Sequence, residues 1–327
     1  MKKFFTLVLC CLLFVLPLTA CGKKDKTIEL NEVTHSVFYA PLYVAIENGY
    51  FAEEGLKVNL TNGGGADKSM TAVLSGSAQI GLMGPETVIY VHNQGKSDLP
   101  KVFGQLTQRD GAFLVSRNSE PDFKWEDLRG KEILAGRRGG VPAMTFEYIL
   151  NQMGMENNKD FTLNFDVQFN LMTSAFLSGT ADYCTVFEPT ASEYQAAGKW
   201  HIVASVGEKG GEIPYTSFIA LDSYLKNNKE EVKSFIKGLK KAFEFIDTHT
   251  EKEVAEAIVK QFPSTTIDSI EASIISYKKI NAWRSDMHGT KESFDRLQDI
   301  MQNAGELTER VNFEKIVDNS VVTEIFK

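Results

Sequence analysis

The sequence contains few cysteines for its length, only four among 327 residues. Cys10, Cys11 and Cys21 lie close to the N-terminus, and Cys184 stands alone in the rest of the chain. A disulfide framework is therefore excluded in the part of the chain that follows Cys21. Stability has to come from core packing, for which about 300 residues are ample if they form two lobes of ordinary size.

Basic charge and the usual signatures of catalysis or metal binding are also scarce. The formal net charge is −8, without a basic stripe, which argues against nucleic acid as a partner. No Gly-x-Ser-x-Gly elbow is present, and Cys184 lies in an apolar segment where a thiol is buried and inert. The histidines lack the paired spacing of metal ligands: His35, His92, His201, His249 and His288. We therefore expect neither an enzyme nor a metal or cofactor.

The N-terminal segment has the pattern of a lipoprotein signal. Lys2 and Lys3 precede an apolar run over residues 4–16, which is too short to span a bilayer comfortably. Leu18-Thr19-Ala20-Cys21 then matches a lipoprotein cleavage box, in which the cysteine thiol accepts a diacylglycerol. We predict a signal peptide over residues 1–20, lipidation of Cys21, a polar tether over 21–26 and a place on the extracytoplasmic face of the cell membrane. The alternative is an ordinary secretory signal with a stray cysteine.

One six-residue string occurs twice. Leu74-Ser75-Gly76-Ser77-Ala78-Gln79 returns as Leu177-Ser178-Gly179-Thr180-Ala181-Asp182. Each copy ends a helix-like run and precedes a short apolar strand, predicted over 80–83 and 183–187. A proline at the start of a further helix follows each strand. Repetition of this unit predicts two similar lobes that face each other across a cleft, where small molecules bind.

Strands alternate with helices along most of the chain, which predicts an α/β fold with mainly parallel sheets flanked by helices. We assign residues 27–112 plus 217–327 to a first lobe and residues 113–216 to an inserted second lobe. One strand of the second lobe is predicted over 163–169. From residue 223 onward the chain reads as helical, and we expect this tail to pack on the first lobe. Ligands of such sheets bind beyond the carboxyl ends of the strands.

Several motifs resemble those of the extracytoplasmic solute-binding proteins of ABC importers, in the branch that covers nitrate, sulfonate, taurine and thiamine-pyrimidine precursors. The motifs are Phe38-Tyr39-Ala40-Pro41-Leu42-Tyr43-Val44-Ala45, Gly49-Tyr50-Phe51, Glu54-Gly55-Leu56-Lys57-Val58 and Phe187-Glu188-Pro189. The resemblance covers nearly the whole mature chain. It implies a two-lobed periplasmic-binding-protein fold of type II that closes on a ligand about a hinge. It also implies an ABC permease and an ATPase as partners, and we expect a monomer.

The candidate ligand-binding residues lie in the loops that follow strands. Ser36, Phe38 and Tyr39 come between a strand and a helix, where the two rings can stack on a planar ligand. The alternative is that both rings pack the helix against the sheet. Glu86 and Glu188 follow the paired strands at helix starts. There a carboxylate can accept hydrogen bonds from the amino groups of a ligand, or it can simply complement the helix dipole.

Two glycine runs also follow strands and precede helices, at residues 63–65 and 136–140. Bare glycines let backbone amides approach a ligand, and we select Gly64 and Gly139. Two tight turns are the alternative. The second run contains two adjacent arginines, Arg137 and Arg138. A guanidinium there can form two parallel hydrogen bonds to a carboxylate, sulfonate or phosphate, and we select Arg138. Tyr215 lies where the chain returns to the first lobe, as a ligand contact or as hinge packing.

Two ligand classes remain open. An aromatic or heteroaromatic metabolite, such as a thiamine pyrimidine precursor, suits Phe38, Tyr39 and Glu188. A small organic anion, such as a sulfonate, taurine or nitrate, suits Arg137, Arg138 and the helix starts. A surface sensor that does not feed transport is a third reading. An enzyme on this fold is disfavoured, because the fungal pyrimidine-synthase branch carries a dense cysteine cluster that is missing here.

Overall fold

The computed structural model of the protein describes residues 26–95 and 97–327. The predicted signal peptide, Cys21 and the tether up to residue 25 lie outside the described residues. The framework consists of two five-stranded sheets with flanking helices. The strands are β1 (Lys26–Glu32), β2 (Leu56–Asn62), β3 (Ile80–Met83), β4 (Pro100–Thr107), β5 (Ala112–Ser116), β6 (Glu132–Leu134), β7 (Thr162–Leu163), β8 (Tyr183–Phe187), β9 (His201–Ser205) and β10 (Thr216–Leu221).

Helices fill the connections and almost all of the C-terminal third. They are α1 (Ala40–Glu47), α2 (Tyr50–Glu53), α3 (Ala66–Ser75), α4 (Glu86–Asn93), α5 (Val141–Gln152), α6 (Met172–Ser178), α7 (Thr190–Ala196), α8 (Val206–Gly210), α9 (Asp222–Asn227), α10 (Lys229–Thr248), α11 (Glu251–Ile258), α12 (Ile267–Lys279), α13 (Lys291–Asn303), α14 (Phe313–Ile316) and α15 (Ser320–Ile325). Short 3₁₀ turns lie at Val37–Tyr39, Trp125–Leu128, Phe169–Leu171 and Val259–Gln261.

The two sheets have the same topology. The first has the order β2-β1-β3-β10-β4, and the second has the order β7-β6-β8-β5-β9. In the first sheet β1 pairs in parallel with β2 and β3, whereas β10 is antiparallel to β3 and β4. In the second sheet β6 is parallel to β7 and β8, and β5 is antiparallel to β8 and β9. The reversed strand in the fourth position is in each case the one that arrives from the other sheet. We refer to each sheet with its flanking helices as the first and the second lobe.

The repeated string introduces equivalent strands. β3 and β8 hold the third position of their sheets, and each lies between two helices. All four residues of β3 are buried, as are the first four of β8. Pro85 precedes α4 and Pro189 precedes α7, in the predicted manner. The two-lobed α/β architecture that the repeat predicted is confirmed, and the lobe boundaries stay a prediction.

One predicted strand is much shorter than expected. The sequence reads as a strand over residues 163–169, but only Thr162–Leu163 pairs, at the edge of the second sheet. Beyond it the side chain of Asn164 accepts a hydrogen bond from the backbone N–H of Asp166 over 3.0 Å. This Asx-type turn draws the chain away from β6 and towards the 3₁₀ turn at Phe169–Leu171.

The helical tail packs on the first lobe and also reaches the second. The buried face of α10 lies against α1 and α2, with apolar residues at helical spacing: Val232, Phe235, Ile236, Leu239, Phe243 and Ile246. α12 contacts the 3₁₀ turn after β1 and also α7 of the second lobe, and α13 packs against α5. The tail is therefore expected to restrain the movement of one lobe relative to the other.

A buried aromatic ring lies at the crossings between the lobes, which run over residues 108–111 and 211–215. Phe38 is fully buried, and its ring centroid lies 4.9 Å from that of Tyr277 and 5.8 Å from that of Tyr215. A Cβ on Gly111 would come within 2.6 Å of the Phe38 ring. The glycine is required there because the ring occupies the space that a side chain would take. Phe38 is thus the hub of the hinge core.

We expect the change Phe38→Ala to lower the free energy of unfolding by about 3–5 kcal/mol, because it leaves a cavity in a fully packed hinge. Urea denaturation followed by circular dichroism measures this. Ile275→Ala on α12 serves as the control, since the Ile275 side chain is 50% exposed and its loss is expected to change stability by only about 0.5 kcal/mol. An equal effect of the two changes would contradict the assignment of Phe38 to the core.

Candidate functional site

A cavity lies between the two lobes where helices of both begin. The volume of this cavity is about 50 Å³. The cavity is therefore narrow and suits a small or flat molecule. Its lining comprises Val33, Thr34, Tyr39, Gly65, Ala66, Gly84, Glu86, Arg137, Gly140, Val141, Pro142, Phe169, Phe187, Tyr215 and Thr216.

Glu86 is the buried charge of this cavity. It is the first residue of α4 and is 1% exposed, and its Oε2 has no hydrogen-bond partner among the described residues. The carboxylate folds back over Gly84, where a Cβ would lie 2.1 Å from Oε2. Burial raises the pKa of Glu86 to about 7, and the positive charge of Arg137 opposes that rise. A buried carboxylate oxygen without a hydrogen bond is unfavourable in free energy, so a hydrogen-bond donor from a ligand would stabilise Oε2.

Arg137 faces Glu86 from the second lobe. Its guanidinium is partly exposed, and its Nε lies 3.6 Å from Oδ1 of Asp67 on α3. Gly65 takes the N-cap position of α3 without a side-chain hydrogen bond, and Asp67 lies in the first turn of that helix. From there its carboxylate pairs with Arg137 across the cleft. The uncapped start of α5 lies beside Arg137 and adds a partial positive charge.

Aromatic rings form the remaining walls. Tyr39 and Tyr215 come from the first lobe and the crossing, and Phe169 and Phe187 come from the second lobe. Burial raises the pKa of the Tyr215 hydroxyl, and the adjacent carboxylate of Asp110 raises it further, so the phenol stays neutral. The Tyr215 hydroxyl makes no hydrogen bond of good geometry among the described residues. A ring inserted between such walls would gain apolar burial and stacking.

Ser36 and Glu188 join the lobes through backbone groups. The Ser36 hydroxyl donates to the carbonyl of Glu188 over 2.7 Å, and the Glu188 N–H donates to the Tyr277 hydroxyl over 3.0 Å. The Glu188 carboxylate accepts two hydrogen bonds from Ser192, from its N–H at 2.9 Å and its hydroxyl at 2.7 Å. The carboxylate of Glu188 therefore receives its hydrogen bonds from Ser192 of α7 and does not need a donor from a ligand.

A second buried charge supports the loop that carries Ser36. Oε1 of Glu32 lies 2.6 Å from Nδ1 of His35, and the Tyr43 hydroxyl donates to Oε2 over 2.7 Å. Nε2 of His35 donates to the carbonyl of Gln261 over 2.9 Å, since a carbonyl can only accept. Burial alone would lower the pKa of His35, but the hydrogen bond and charge of Glu32 leave it raised. No sequence motif indicated this cluster.

The structure brings three of the predicted ligand residues to the cavity: Tyr39, Glu86 and Tyr215. The others lie outside its lining, namely Ser36, Phe38, Gly64, Arg138, Gly139 and Glu188. In both glycine runs the lining residue is the next one along the chain, Gly65 or Gly140, because the helix starts there.

Arg138 illustrates why a neighbouring pair is hard to assign from sequence. Its guanidinium stacks 4.2 Å above the ring of Phe165 on the outside of the second lobe, whereas Arg137 lines the cavity. Phe169, which also lines the cavity, was not among the candidates, because it stands at the end of the strand predicted over 163–169. Gly139 still matters at the interface, since its carbonyl accepts a hydrogen bond from the Tyr90 hydroxyl over 2.9 Å.

Comparison with known proteins places the chain in a family. A family model described as NMT1/THI5 like matches residues 37–253. This chain belongs to the NMT1/THI5-like family. One family relative is YtlA of Bacillus subtilis (strain 168), whose name describes it as a candidate binding protein. It is 40% identical over 330 residues, which cover 99% of each chain. The stretch matched by the family model includes Tyr39, Glu86 and Arg137, as well as both crossings.

Solved structures confirm the fold of this NMT1/THI5-like protein. The alkanesulfonate-binding protein SsuA from Xanthomonas axonopodis pv. citri, bound to MOPS, superposes with a TM-score of 0.73 at 15% identity, covering 90% of this chain and 98% of that one. The periplasmic nitrate-binding protein NrtA from Synechocystis PCC 6803 gives a TM-score of 0.74 at 16% identity, covering 92% and 88%. The architecture is the two-lobed periplasmic-binding-protein fold. Among residues 26–95 and 97–327, no helix has the length and apolarity needed to cross a membrane.

The buried Glu86 makes stability depend on pH in a specific direction. Its pKa rises from 4.5 to about 7 on folding, so the folded ligand-free protein keeps a proton that the unfolded chain loses. We expect Glu86→Gln to match the wild type near pH 4.5, to gain relative stability between pH 4.5 and 7, and to exceed it by roughly 3 kcal/mol above pH 7. Urea unfolding at stepwise pH measures the difference. The exposed Glu256→Gln should give a flat difference, and a flat result for Glu86→Gln would contradict the assignment.

Proposed function

We propose that this protein is the lipid-anchored solute-binding protein of an ABC importer and captures a flat heteroaromatic molecule with amino groups. A thiamine pyrimidine precursor is a compound of this class. Family membership and the two-lobed fold support the binding role. The structural similarity to SsuA, an alkanesulfonate-binding protein, and to NrtA, a periplasmic nitrate-binding protein, supports its place in transport. In this role the protein delivers its ligand as a monomer to an integral-membrane permease that is driven by an ATPase.

The observation that carries the ligand class is Oε2 of the buried Glu86 carboxylate, which has no hydrogen-bond partner among the described residues and lies between aromatic walls. Amino groups on a flat ring can donate to that carboxylate while Tyr39 and Phe187 cover the ring faces. A charge-assisted hydrogen bond in such a buried place is worth about 1.5–3 kcal/mol. Arg137 and the start of α5 then remain near the rim, where they balance the negative charge of Glu86.

The mechanism is closure of the lobes around the ligand. Around the apolar core at Phe38, single polar contacts join the lobes, such as the Ser36 hydroxyl on the Glu188 carbonyl and the Tyr90 hydroxyl on Gly139. A ligand that touches Glu86 on one side and Phe187 on the other adds affinity for the closed state alone, and so shifts the equilibrium towards it. No covalent step is involved. The thiol of Cys184 is fully buried, and burial raises its pKa far above the ordinary value, so it is inert.

A small organic anion is the competing ligand class, and one observation favours it. Arg137, the uncapped start of α5 and the start of α3 at Gly65 present positive charge to the same cavity. An anion would, however, have to lie beside Glu86. The electrostatic repulsion between the two is small only if the Glu86 carboxyl is protonated. Surface sensing without transport uses the same binding step and is distinguished by uptake measurements with the partner permease.

Matched variants distinguish the ligand classes. Native mass spectrometry of the purified protein identifies a retained ligand, and thermal shift with pyrimidines, flavins, sulfonates and nitrate tests candidates. A ligand at 100 times its Kd adds about 2.7 kcal/mol of stability. For an amino-bearing ring we expect Glu86→Gln to weaken binding by roughly 10- to 100-fold. Arg137→Gln should have a smaller effect, and Arg138→Gln on the outer surface should change the Kd less than about twofold.

The opposite pattern identifies an anion. In that case Arg137→Gln weakens binding more than tenfold and Glu86→Gln tightens it. If no compound of either class shifts the melting temperature and no ligand is retained, both ligand assignments are wrong.

The anchor is tested separately from the ligand. We expect Cys21→Ser in the full-length chain to abolish metabolic labelling with palmitate and to release the protein from the membrane fraction, because one lipidated cysteine is the anchor. Cys10→Ser, within the apolar part of the signal, is the control and should keep both properties. Continued membrane association of Cys21→Ser would contradict the anchor.

A further inference from the structure

A second cavity adjoins the first and differs from it in chemistry. The two share Thr34, Phe169 and Phe187, so the rings of Phe169 and Phe187 stand at the boundary between them. The volume of the second cavity is about 160 Å³, against about 50 Å³ for the first. The second cavity is thus the larger of the two.

Side chains with unused hydrogen-bonding groups line this second cavity. Thr185 is only 5% exposed, and yet its hydroxyl makes no hydrogen bond among the described residues. The side chains of Thr34, Thr173 and Thr190 are half-buried and that of Asn170 is exposed, and none of the four has a hydrogen-bond partner in the described part of the chain. A buried hydroxyl without a protein partner is unfavourable unless water or a ligand satisfies it.

The charged groups at this cavity are already paired. His35 contacts Glu32 on one side and the Gln261 carbonyl on the other. Both carboxylate oxygens of Glu188 accept hydrogen bonds from Ser192. The groups left for a ligand are therefore hydroxyls and an amide, all neutral, each of which can donate and accept. That set matches a neutral hydroxylated substituent better than a charged one, because a buried charge would find no free counter-charge there.

We propose that the second cavity is a subsite for a hydroxyl-bearing side chain of the same ligand whose ring occupies the first cavity. This inference rests on the proposed function. The ligand then has two parts, a flat ring between Tyr39 and Phe187 and a hydroxylated arm that passes Phe169 to reach Thr185. Closure of the lobes covers both parts, since each cavity is lined by both lobes.

Matched pairs of compounds test the subsite. Adenine with adenosine and lumichrome with riboflavin each compare a ring with the same ring carrying a hydroxylated arm. Isothermal titration calorimetry on the ligand-stripped wild type should show the hydroxylated member of a binding pair at least tenfold tighter. Thr185→Val should remove most of that advantage and leave the affinity for the bare ring within about twofold. Thr185→Ser keeps a hydroxyl and should restore the advantage, which separates the contact from an effect on folding.

Each outcome bears on a distinct claim. If a bare ring binds as tightly as its hydroxylated partner, or if Thr185→Val weakens both members equally, the subsite is refuted and the main cavity stands. If a retained ligand identified by mass spectrometry lacks a hydroxylated arm, the subsite is refuted as well. If no ring compound binds the wild type, the heteroaromatic assignment of the first cavity fails, and the subsite falls with it.

Discussion

The burial of one carboxylate between two lobes is the constraint on which the site depends. Glu86 begins α4 in the first lobe and is covered by the second, with one oxygen left without a partner in the described structure. Neighbouring groups reduce the free-energy cost of burying this carboxylate. Gly84 has no side chain where the carboxylate lies, and Arg137 and the start of α5 supply positive charge across the cleft. A hydrogen bond from a ligand can reduce the remaining cost, and the unfavourable burial of this oxygen therefore favours binding.

The hinge combines a rigid hub with weak contacts around it. Phe38 packs against Gly111, against Tyr215 at the second crossing and against Tyr277 of α12, and this apolar hub holds the two sheets in a defined relation. The contacts nearer the cleft include single hydrogen bonds to backbone carbonyls and the Asp67–Arg137 ion pair, which water can replace when the lobes separate. The tail helices α12 and α13 touch both lobes and limit the range of that separation. A binding protein needs this combination, since closure must be specific and reversible.

The two cavities differ in chemistry. The first offers aromatic faces and a carboxylate, which suit the flat ring with donors that we propose, and the second offers neutral hydroxyls. Phe187 is the last residue of β8, and Gly84 follows β3, the counterpart of β8 in the first lobe. The corner after β8 thus carries an aromatic ring, whereas the corner after β3 leaves space for the Glu86 carboxylate. We propose that such differences between the two repeats determine the specificity.

The sequence alone determined the architecture. Alternation of strands and helices, a repeated string and proline-marked helix starts are local patterns, and local patterns predict elements and their order. They also led to Tyr39, Glu86 and Tyr215, because residues after strands and at helix starts gather at one edge of a sheet. Tertiary structure decided which side chains face the cavity. Tyr39 and Arg137 line the cavity, whereas their neighbours Phe38 and Arg138 do not. Only the packing of the two lobes decides which member of each pair faces the cavity. Glu188 looked equivalent to Glu86 in sequence, but Ser192 lies within reach of its carboxylate, and so only Glu86 is left unsatisfied. Ser192 is only four residues from Glu188, but whether its hydroxyl turns towards the carboxylate depends on the packing around both side chains, which no local pattern records.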